Sequence, residues 1–389
     1  MKRTKILRNI FFSTSVLFAL ARWLDAGPMD GVLNSSNSAL VPPQSTIITF
    51  DVPGAGTDPG QGTTAYAINP IGTIMGYYVD SNYVHHVFVR DPDGVITTFD
   101  VPSAGTDPHQ GTAPASINPA GTIAGFYVDA GDAVHSFARD RNGGITTFDV
   151  PGAGTGPHQG TIAQDINPSG TIAGNYRNAT LVNHGFVRAP NGAVTTFDVA
   201  GGGTGPRQGT AIGSVDCLNS AGTIAGVLID SNDAFHGYVR APNGAITVFD
   251  VAGAGTDSGQ GTYPTGINDA GTIHGAYADS SNVIHGFVRA PDGAITTFDV
   301  PGAGTGPGEG TAPSNINAGG AIAGQYIDGS DINHGFLRAK NGAITMFDVP
   351  GAGVGPGQGT IPICNNPMDA ITGEYIDSND VAHGFLRNP

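Results

Sequence analysis

The sequence predicts an all-β fold, a seven-bladed β-propeller of four-stranded antiparallel blades, and three observations support that prediction. A segment of the type Ile-Thr-x-Phe-Asp-Val recurs seven times, first at 47–52 and last at 344–349. Its phenylalanine returns every 49 residues, except for one interval of 52 between Phe197 and Phe249. Each unit also holds a His-x-Phe or His-x-Tyr block, and the last block, which begins at His383, is followed only by Asn388 and Pro389.

These observations also predict how the repeat array is closed. The N-terminal end carries one spare Ile-Thr-x-Phe-Asp segment, and the C-terminal unit lacks one. A ring in which the N-terminal strand pairs with the C-terminal blade explains both facts, whereas an open solenoid would need capping repeats at its ends. A period of 49 residues with four short strands is typical of propeller blades.

The chain divides into three parts. Residues 1–21 carry four positive charges followed by a mostly apolar run at 10–21, which is typical of a secretory signal peptide and too short for the ~20 residues of a membrane span. Residues 22–45, rich in Ser, Asn and Pro, are predicted to be a flexible lead-in. Residues 46–389 form the propeller repeat domain. We therefore expect a secreted, extracellular protein without stable membrane insertion.

The net charge of the chain argues against two classes of binding partner. The net charge is −16, and it becomes −20 when the four positive residues of 1–21 are removed. Such an acidic protein is a poor ligand for nucleic acid or for anionic lipid, because both carry the same sign of charge.

Within one unit, the second unit for example, four strands are predicted in order at 113–118, 122–128, 135–139 and 145–150. An Asn-Pro-x-Gly turn at 118–121 joins the first two strands, and in most units a Pro-Asn-Gly or Pro-Asp-Gly turn joins the last two. Both turns then lie on one rim of the ring. The opposite rim holds the long Val-Pro-Gly-Ala-Gly-Thr-x-Pro-x-Gln-Gly loop and the loop between the second and third strands. Function is expected on that loop-bearing rim.

The chain resembles the HAF-type probable extracellular repeat proteins of bacteria over about 46–389. The residues that carry the resemblance belong to an Ile-Asn-x-x-Gly-x-Ile-x-Gly stretch (Ile117, Asn118, Gly121, Ile123, Gly125) and to the His-x-Phe block (His86, His135, His184, His236, His285, His334, His383). The resemblance implies secretion and a repeat β fold. It transfers no catalytic residue. The fourth unit, with three extra residues near 211–217, and the seventh unit, with Asn365 to Met368, depart from the pattern.

Two recurrent features could be taken for metal sites. Seven equivalent histidines on a ring lie too far apart to share an ion, so each is expected to form a hydrogen bond to a backbone or Asp oxygen instead. Asp-rich loops such as 230–233, 328–331 and 377–380 resemble the start of a calcium loop, but they lack the bidentate Glu of an EF-hand and fit an Asx-type turn better. We predict no metal site and no cofactor, and leave calcium binding by these loops open.

An enzyme would need acids that are set apart from the repeat. Four acids break the pattern, namely Asp165, Asp216, Glu309 and Glu374, and the sequence gives no reason to cluster them. A propeller-fold hydrolase or lyase acting on polysaccharide or a small secreted substrate is therefore the alternative function, and its catalytic residues are unknown. Two carboxyl groups within ~5–10 Å of each other would favour it.

The leading hypothesis is a binding or scaffold protein. In the column of the long loop that is otherwise glycine, three consecutive units carry His109, His158 and Arg207. This partly cationic patch on an acidic ring predicts a site for a carbohydrate or small anionic ligand, and another extracellular protein is a further possible partner. Neutral drift among similar repeats is the alternative explanation of the patch.

The two cysteines, Cys217 and Cys364, occupy the same column of the fourth and seventh units. A disulfide needs Cα atoms within about 7 Å, and positions three blades apart on a ring are expected to be farther apart. Two free, sheltered thiols are predicted despite the oxidising compartment.

Overall fold

The computed structural model describes residues 45–213 and 216–389. The proposed signal peptide at 1–21 and nearly all of the proposed lead-in at 22–45 lie outside the described residues. Within the described part of the chain every regular element is a β-strand. The all-β prediction is therefore confirmed.

The strands fall into four equivalent sets, one member of each set per repeat. The first strands of the repeats are β2 (Gly62–Ile68), β6 (Gly111–Ile117), β10 (Gly160–Ile166), β14 (Gly209–Ile212), β18 (Gly261–Ile267), β22 (Gly310–Ile316) and β26 (Gly359–Asn365). The second strands are β3 (Ile74–Val79), β7 (Ile123–Val128), β11 (Ile172–Arg177), β15 (Ile224–Ile229), β19 (Ile273–Ala278), β23 (Ile322–Ile327) and β27 (Ile371–Ile376). The third strands are β4 (His85–Arg90), β8 (Val134–Arg139), β12 (Asn183–Arg188), β16 (Phe235–Arg240), β20 (Ile284–Arg289), β24 (Asn333–Arg338) and β28 (Ala382–Arg387). The fourth strands are β5 (Ile96–Phe99), β9 (Ile145–Phe148), β13 (Val194–Phe197), β17 (Ile246–Phe249), β21 (Ile295–Phe298), β25 (Ile344–Phe347) and, for the last repeat, β1 (Ile47–Phe50).

Consecutive strands of a repeat pair antiparallel, as β6–β7–β8–β9 do. Neighbouring repeats are also joined, because a parallel bridge links the start of each first strand to the third strand before it, for example Gly160 to Val134. All the described strands consequently form one continuous 28-stranded sheet, in which a single parallel bridge joins each pair of neighbouring blades. The overall arrangement is a ring of repeated blades.

That bridge explains the glycine at the start of every first strand. Gly160 has φ +119°, and a Cβ at this position would lie 1.9 Å from the carbonyl oxygen of Val134. Any larger residue would push the two blades apart. Even the methyl group of an alanine at this position would therefore disrupt the parallel bridge between neighbouring blades.

The ring closes as the sequence predicts. β1 pairs antiparallel with β28, with Ile47 opposite Arg387 and Phe50 opposite Gly384. The first residue of β2, Gly62, in turn forms the parallel bridge to Ala382 of β28. The two ends of the described chain are thus joined by the same pairings that connect interior repeats.

Burial follows the position of a strand in its repeat. The first strands are almost wholly buried, and most adjacent first strands, β14 excepted, contact each other around the centre. The fourth strands have partly buried terminal residues and an exposed middle pair, Thr-Thr in four of the seven, as expected for an outer edge kept polar. A threonine on each first strand accepts a hydrogen bond from the valine N–H at the end of the preceding fourth strand, at 2.8–3.0 Å in all seven repeats. This contact ties the centre of one blade to the outer edge of the previous one.

The asparagine of the predicted Asn-Pro turn has two functions in the ring. The Oδ1 atom of Asn167 accepts from the N–H groups of Ser169 and Thr171 and so holds its own turn. Its Nδ2 group donates to the carbonyl oxygen of Asn219 in the next repeat at 3.3 Å. Asn118, Asn219, Asn268 and Asn317 reach the next repeat in the same way.

Candidate functional site

The predicted ligand residues lie at equivalent backbone positions of three consecutive long loops, the loops that lead into the first strands. His109, His158 and Arg207 have φ of 70°, 62° and 69°, a left-handed conformation that favours glycine, and four glycines occupy the column elsewhere. Each backbone N–H donates at 2.7 Å to the loop between the second and third strands of the preceding repeat, which we call the short loop. Long loops and short loops thus share one rim, as predicted. We call it the loop rim.

The three side chains are not evenly arranged on the loop rim, because an aspartate separates the first two. Asp132 of the second short loop lies between His109 and His158, because its carbonyl oxygen accepts from His158 N and its carboxylate accepts from Gln110, the neighbour of His109. Burial also lowers the pKa of His109 below its usual range. At neutral pH this imidazole is therefore uncharged, whereas the guanidinium of Arg207 is positively charged.

A second arginine, which is not among the ligand residues predicted from the sequence, lies between the long loops that carry His158 and Arg207. Arg177 ends β11 at a position where the other repeats have Val, Ile or Ala, and it is only 6 % exposed. Its Nη1 group donates to His158 O at 3.3 Å and its Nε to Asn183 Oδ1 at 3.2 Å. Asn183 Nδ2 donates in turn to Arg207 O at 2.6 Å. The sequence signal was the break in the Asp-rich pattern at 177–180.

The repeated histidines are structural, as predicted. In all seven repeats the His Nδ1 atom lies 2.8–3.0 Å from a carboxylate at the end of the fourth strand. In six of the repeats the imidazole also stacks on a tyrosine of the second strand, as His135 does on Tyr127 at 5.0 Å.

The Asp-rich short loops are Asx-type turns. Oδ1 of Asp230 accepts from the N–H groups of Asn232 and Ala234, and its Oδ2 lies 3.7 Å from His236 Nε2. Over the two described segments no group of three or more His, Cys, Asp or Glu side chains is arranged to hold a metal ion.

Two of the four acids that break the repeat pattern, Asp165 and Asp216, lie near each other at the centre of the ring. The sequence did not indicate this proximity. Asp165 on β10 accepts hydrogen bonds from Ser116 Oγ at 2.7 Å and Leu218 N at 2.8 Å, so it joins three consecutive repeats. Burial, followed by the charge of Asp216, raises the pKa of Asp165 to about 7. Asp216, in the three-residue insertion, accepts a hydrogen bond from Asn315 two repeats away, and burial raises its pKa as well.

The remaining singular acids are elsewhere. Glu309 accepts from Gly306 N within its own long loop, and Glu374 of β27 accepts from Thr64 of the first repeat. Both cysteines are buried and unpaired, as predicted. Only the insertion of the fourth unit, which shortens β14 to four residues, could have pointed to the central cluster.

Comparison with known proteins identifies the class of fold. No protein-family model and no curated protein sequence matches the chain. A streptogramin B lyase structure is similar with a TM-score of 0.56 and 14 % identity, over 89 % of this chain and 98 % of that one. The BP39L lectin from Burkholderia pseudomallei is similar with a TM-score of 0.55 and 11 % identity, over 84 % and 98 %. At these identities the likeness concerns the fold alone.

The ring of repeated blades and these structural neighbours define a β-propeller repeat protein. These neighbours include both a binding protein and an enzyme, so the fold does not distinguish the two functions. Only the residues of the site can do so. In the part of the chain that the structure covers, there is also no helix with the length and apolar character to cross a membrane.

Proposed function

We propose that this β-propeller is a secreted binding or scaffold module whose loop rim takes a carbohydrate or a small anionic ligand through His109, His158 and Arg207. The observation that carries the proposal is the placement of these side chains. They occupy left-handed positions of consecutive long loops where glycine would be less strained, and all three loops lie on one rim. Side chains kept at a conformational cost on surface loops are typical of binding sites.

The finer architecture is part of the same proposal. We infer seven blades of four strands, the last blade completed by β1, because seven antiparallel groups of four follow from the pairings when the parallel bridges are counted as contacts between blades. Secretion and the resemblance to HAF-type repeat proteins remain predictions from the sequence. The likeness in fold to a lectin is compatible with a carbohydrate ligand.

The experiment is a glycan array with the mature protein, residues 22–389, followed by titration of the best ligand. The test variant is H109G/H158G/R207G, which introduces the residue that other repeats carry at this column. We expect binding to be lost and the melting temperature to stay the same or rise slightly, since glycine relieves the left-handed backbone. The control R141A removes a cation from a turn on the opposite rim and should bind like wild type. Equal affinity of the triple variant would exclude this site.

The rival function, a hydrolase or lyase, is favoured by the pair Asp165 and Asp216, since two neighbouring carboxyl groups form the acid and base of glycosidases. Against it, Asp165 is 2 % exposed and already accepts hydrogen bonds from neighbouring repeats. Release of reducing ends from a polysaccharide panel, by wild type but not by D165N, would establish the enzyme. No release from any polysaccharide would favour the binding module.

A further inference from the structure

Arg177 links the two long loops that carry His158 and Arg207. Its guanidinium donates to the carbonyl oxygen of His158 on one side, and through Asn183 it is connected to the carbonyl oxygen of Arg207 on the other. Every acceptor that it has among the described residues is a neutral oxygen, and the ion pairs of these residues are all between His and Asp. A buried guanidinium without a carboxylate partner is costly, because its charge is removed from water without compensation.

The loops around Arg177 have lost the acids found in other repeats. The third short loop carries Asn178 where all six other short loops have Asp, and Leu181 where four have Asp. In the long loops that flank it, the stretches 150–159 and 199–208 contain no acid, whereas the equivalent stretch carries one in four of the other five repeats. Asp149 and Asp198, which directly precede these stretches, pair with His135 and His184. These three loops are in direct contact, since Gln159 Nε2 donates to Ala179 O and Arg207 N donates to Leu181 O.

The result is a local cationic surface on a protein whose net charge is −16, and the loop carboxylate Asp198 is paired with His184. Burial, and secondly the positive charge of Arg207, lower the pKa of Arg177 to about 10. The two guanidinium groups are therefore close enough to repel each other. A bound anion would offset both the desolvation and the repulsion.

We propose that Arg177 and Arg207 form the anion-recognising point of the loop rim, and that the group they take is a single carboxylate or sulfate ester on a short saccharide. This inference rests on the proposed function and narrows it. His158 lies beside this point, whereas His109 lies beyond Asp132 and is not part of it.

The charges around the site limit the length of the ligand. Acids follow on both sides of this cationic surface, with Asp107 and Asp132 in the second repeat and Asp233 and Asp257 in the fourth repeat and the long loop after it. A long polyanion that extended along the rim would meet these carboxylates and be repelled. A short ligand with one anionic group avoids them.

The test is calorimetric titration of residues 22–389 with glucuronate, galactose 6-sulfate, neutral galactose and sulfated oligosaccharides of increasing length. The variants are R177I and L181D. Each introduces a residue that the sequence carries at equivalent positions, so both are expected to fold, and thermal unfolding will verify it. R141A serves as the control for loss of a distant cation.

We expect wild type and R141A to bind glucuronate or galactose 6-sulfate, R177I and L181D to bind at least tenfold more weakly, and affinity not to rise with oligosaccharide length. Undiminished binding by R177I and L181D, affinity that grows with length, or binding of neutral galactose alone would overturn the inference while the proposed function stands. If H109G/H158G/R207G also bound an array ligand like wild type, the proposed function itself would fail.

Discussion

The Nδ1 atom of His383 lies 2.9 Å from Oδ1 of Asp51, although 332 residues separate the two in the chain. The other six repeats make the same contact within one unit, with a histidine and an aspartate that are 14 residues apart, as in His285 and Asp299. The imidazole of His383 also stacks on Tyr375 at 4.8 Å, like its equivalents. The closing blade therefore uses the contacts of an interior blade, with its aspartate supplied from the opposite end of the chain.

Deleting residues 1–52 should destabilise the whole ring. The deletion removes β1, the Asp51–His383 contact and Phe50, whose ring packs edge-on against Phe88 at 6.0 Å. Phe50 is partly buried, so its loss alone should cost up to ~3–5 kcal/mol, and it is accompanied here by an exposed strand edge. We expect the melting temperature to fall by about 10 °C or more.

The matched control is deletion of residues 1–44, which leaves every described strand intact. This shorter deletion should melt like the full-length chain in a calorimetric scan. If both truncations melt at the same temperature, closure by β1 does not stabilise the ring.

The sequence predicted what is repeated and missed what is unique. The four strands of a unit, the turn at Asn118, the contact of His135 with Asp149 and the closure at Ile47 were all predictable, because sevenfold recurrence gives each position the same environment. The burial of Arg177 and the proximity of Asp165 to Asp216 were not predictable. Both result from single departures from the repeat, and the contacts that such residues make depend on the tertiary geometry between blades.

His334 should titrate above the ordinary value for histidine. The hydrogen bond with Asp348 raises its pKa, partial burial opposes this, and the charge of Asp348 adds to the rise. D348N removes the largest contribution that raises the pKa and leaves the opposing burial, so the pKa of His334 should fall below that of wild type, although Asp328 still raises it. NMR titration of the imidazole Cε1–H signal will measure both values.

The same titration contains its own control. The pKa of His86 is raised chiefly by its hydrogen bond to Asp100, and D348N does not touch that contact. Unchanged His334 titration in D348N would show that the aspartate does not stabilise the imidazolium. Because the folded pKa is raised, the contribution of His334 to stability is complete below its unfolded pKa and is lost as pH rises through the folded value.

Asp165 should make the ring less stable as the pH rises from about 4 to about 7. Its pKa is raised from 3.8 to about 7, first by burial and then by Asp216. The folded state therefore holds this proton more tightly than the unfolded state, and stability is complete below the unfolded value and lost up to the folded one. A rise of that size corresponds to ~4 kcal/mol of unfolding free energy.

Urea unfolding at a series of pH values tests this. In D165N the amide replaces the protonated carboxyl, so the fall in unfolding free energy between pH 4 and 7 should become shallower, with a gain in stability at pH 8. D292N is the control, since that exposed turn carries Asn in other repeats, and it should keep the wild-type slope. A wild-type slope in D165N would mean that another group controls the pH dependence.

Cys217 and Cys364 should remain unreactive until the ring unfolds. Both thiols are buried, and burial raises their pKa values, assisted by the charges of Asp165 and Asp216. The thiolate is the reactive species, so alkylation of the folded protein should be negligible.

Mass spectrometry after treatment with iodoacetamide, without reductant, should show no adduct on the folded protein and two adducts in denaturant. The variant C217S should show one adduct in denaturant. An unreduced bridge between Cys217 and Cys364 would contradict the placement of these residues in the fourth and seventh repeats of the ring, because a disulfide requires Cα atoms within about 7 Å.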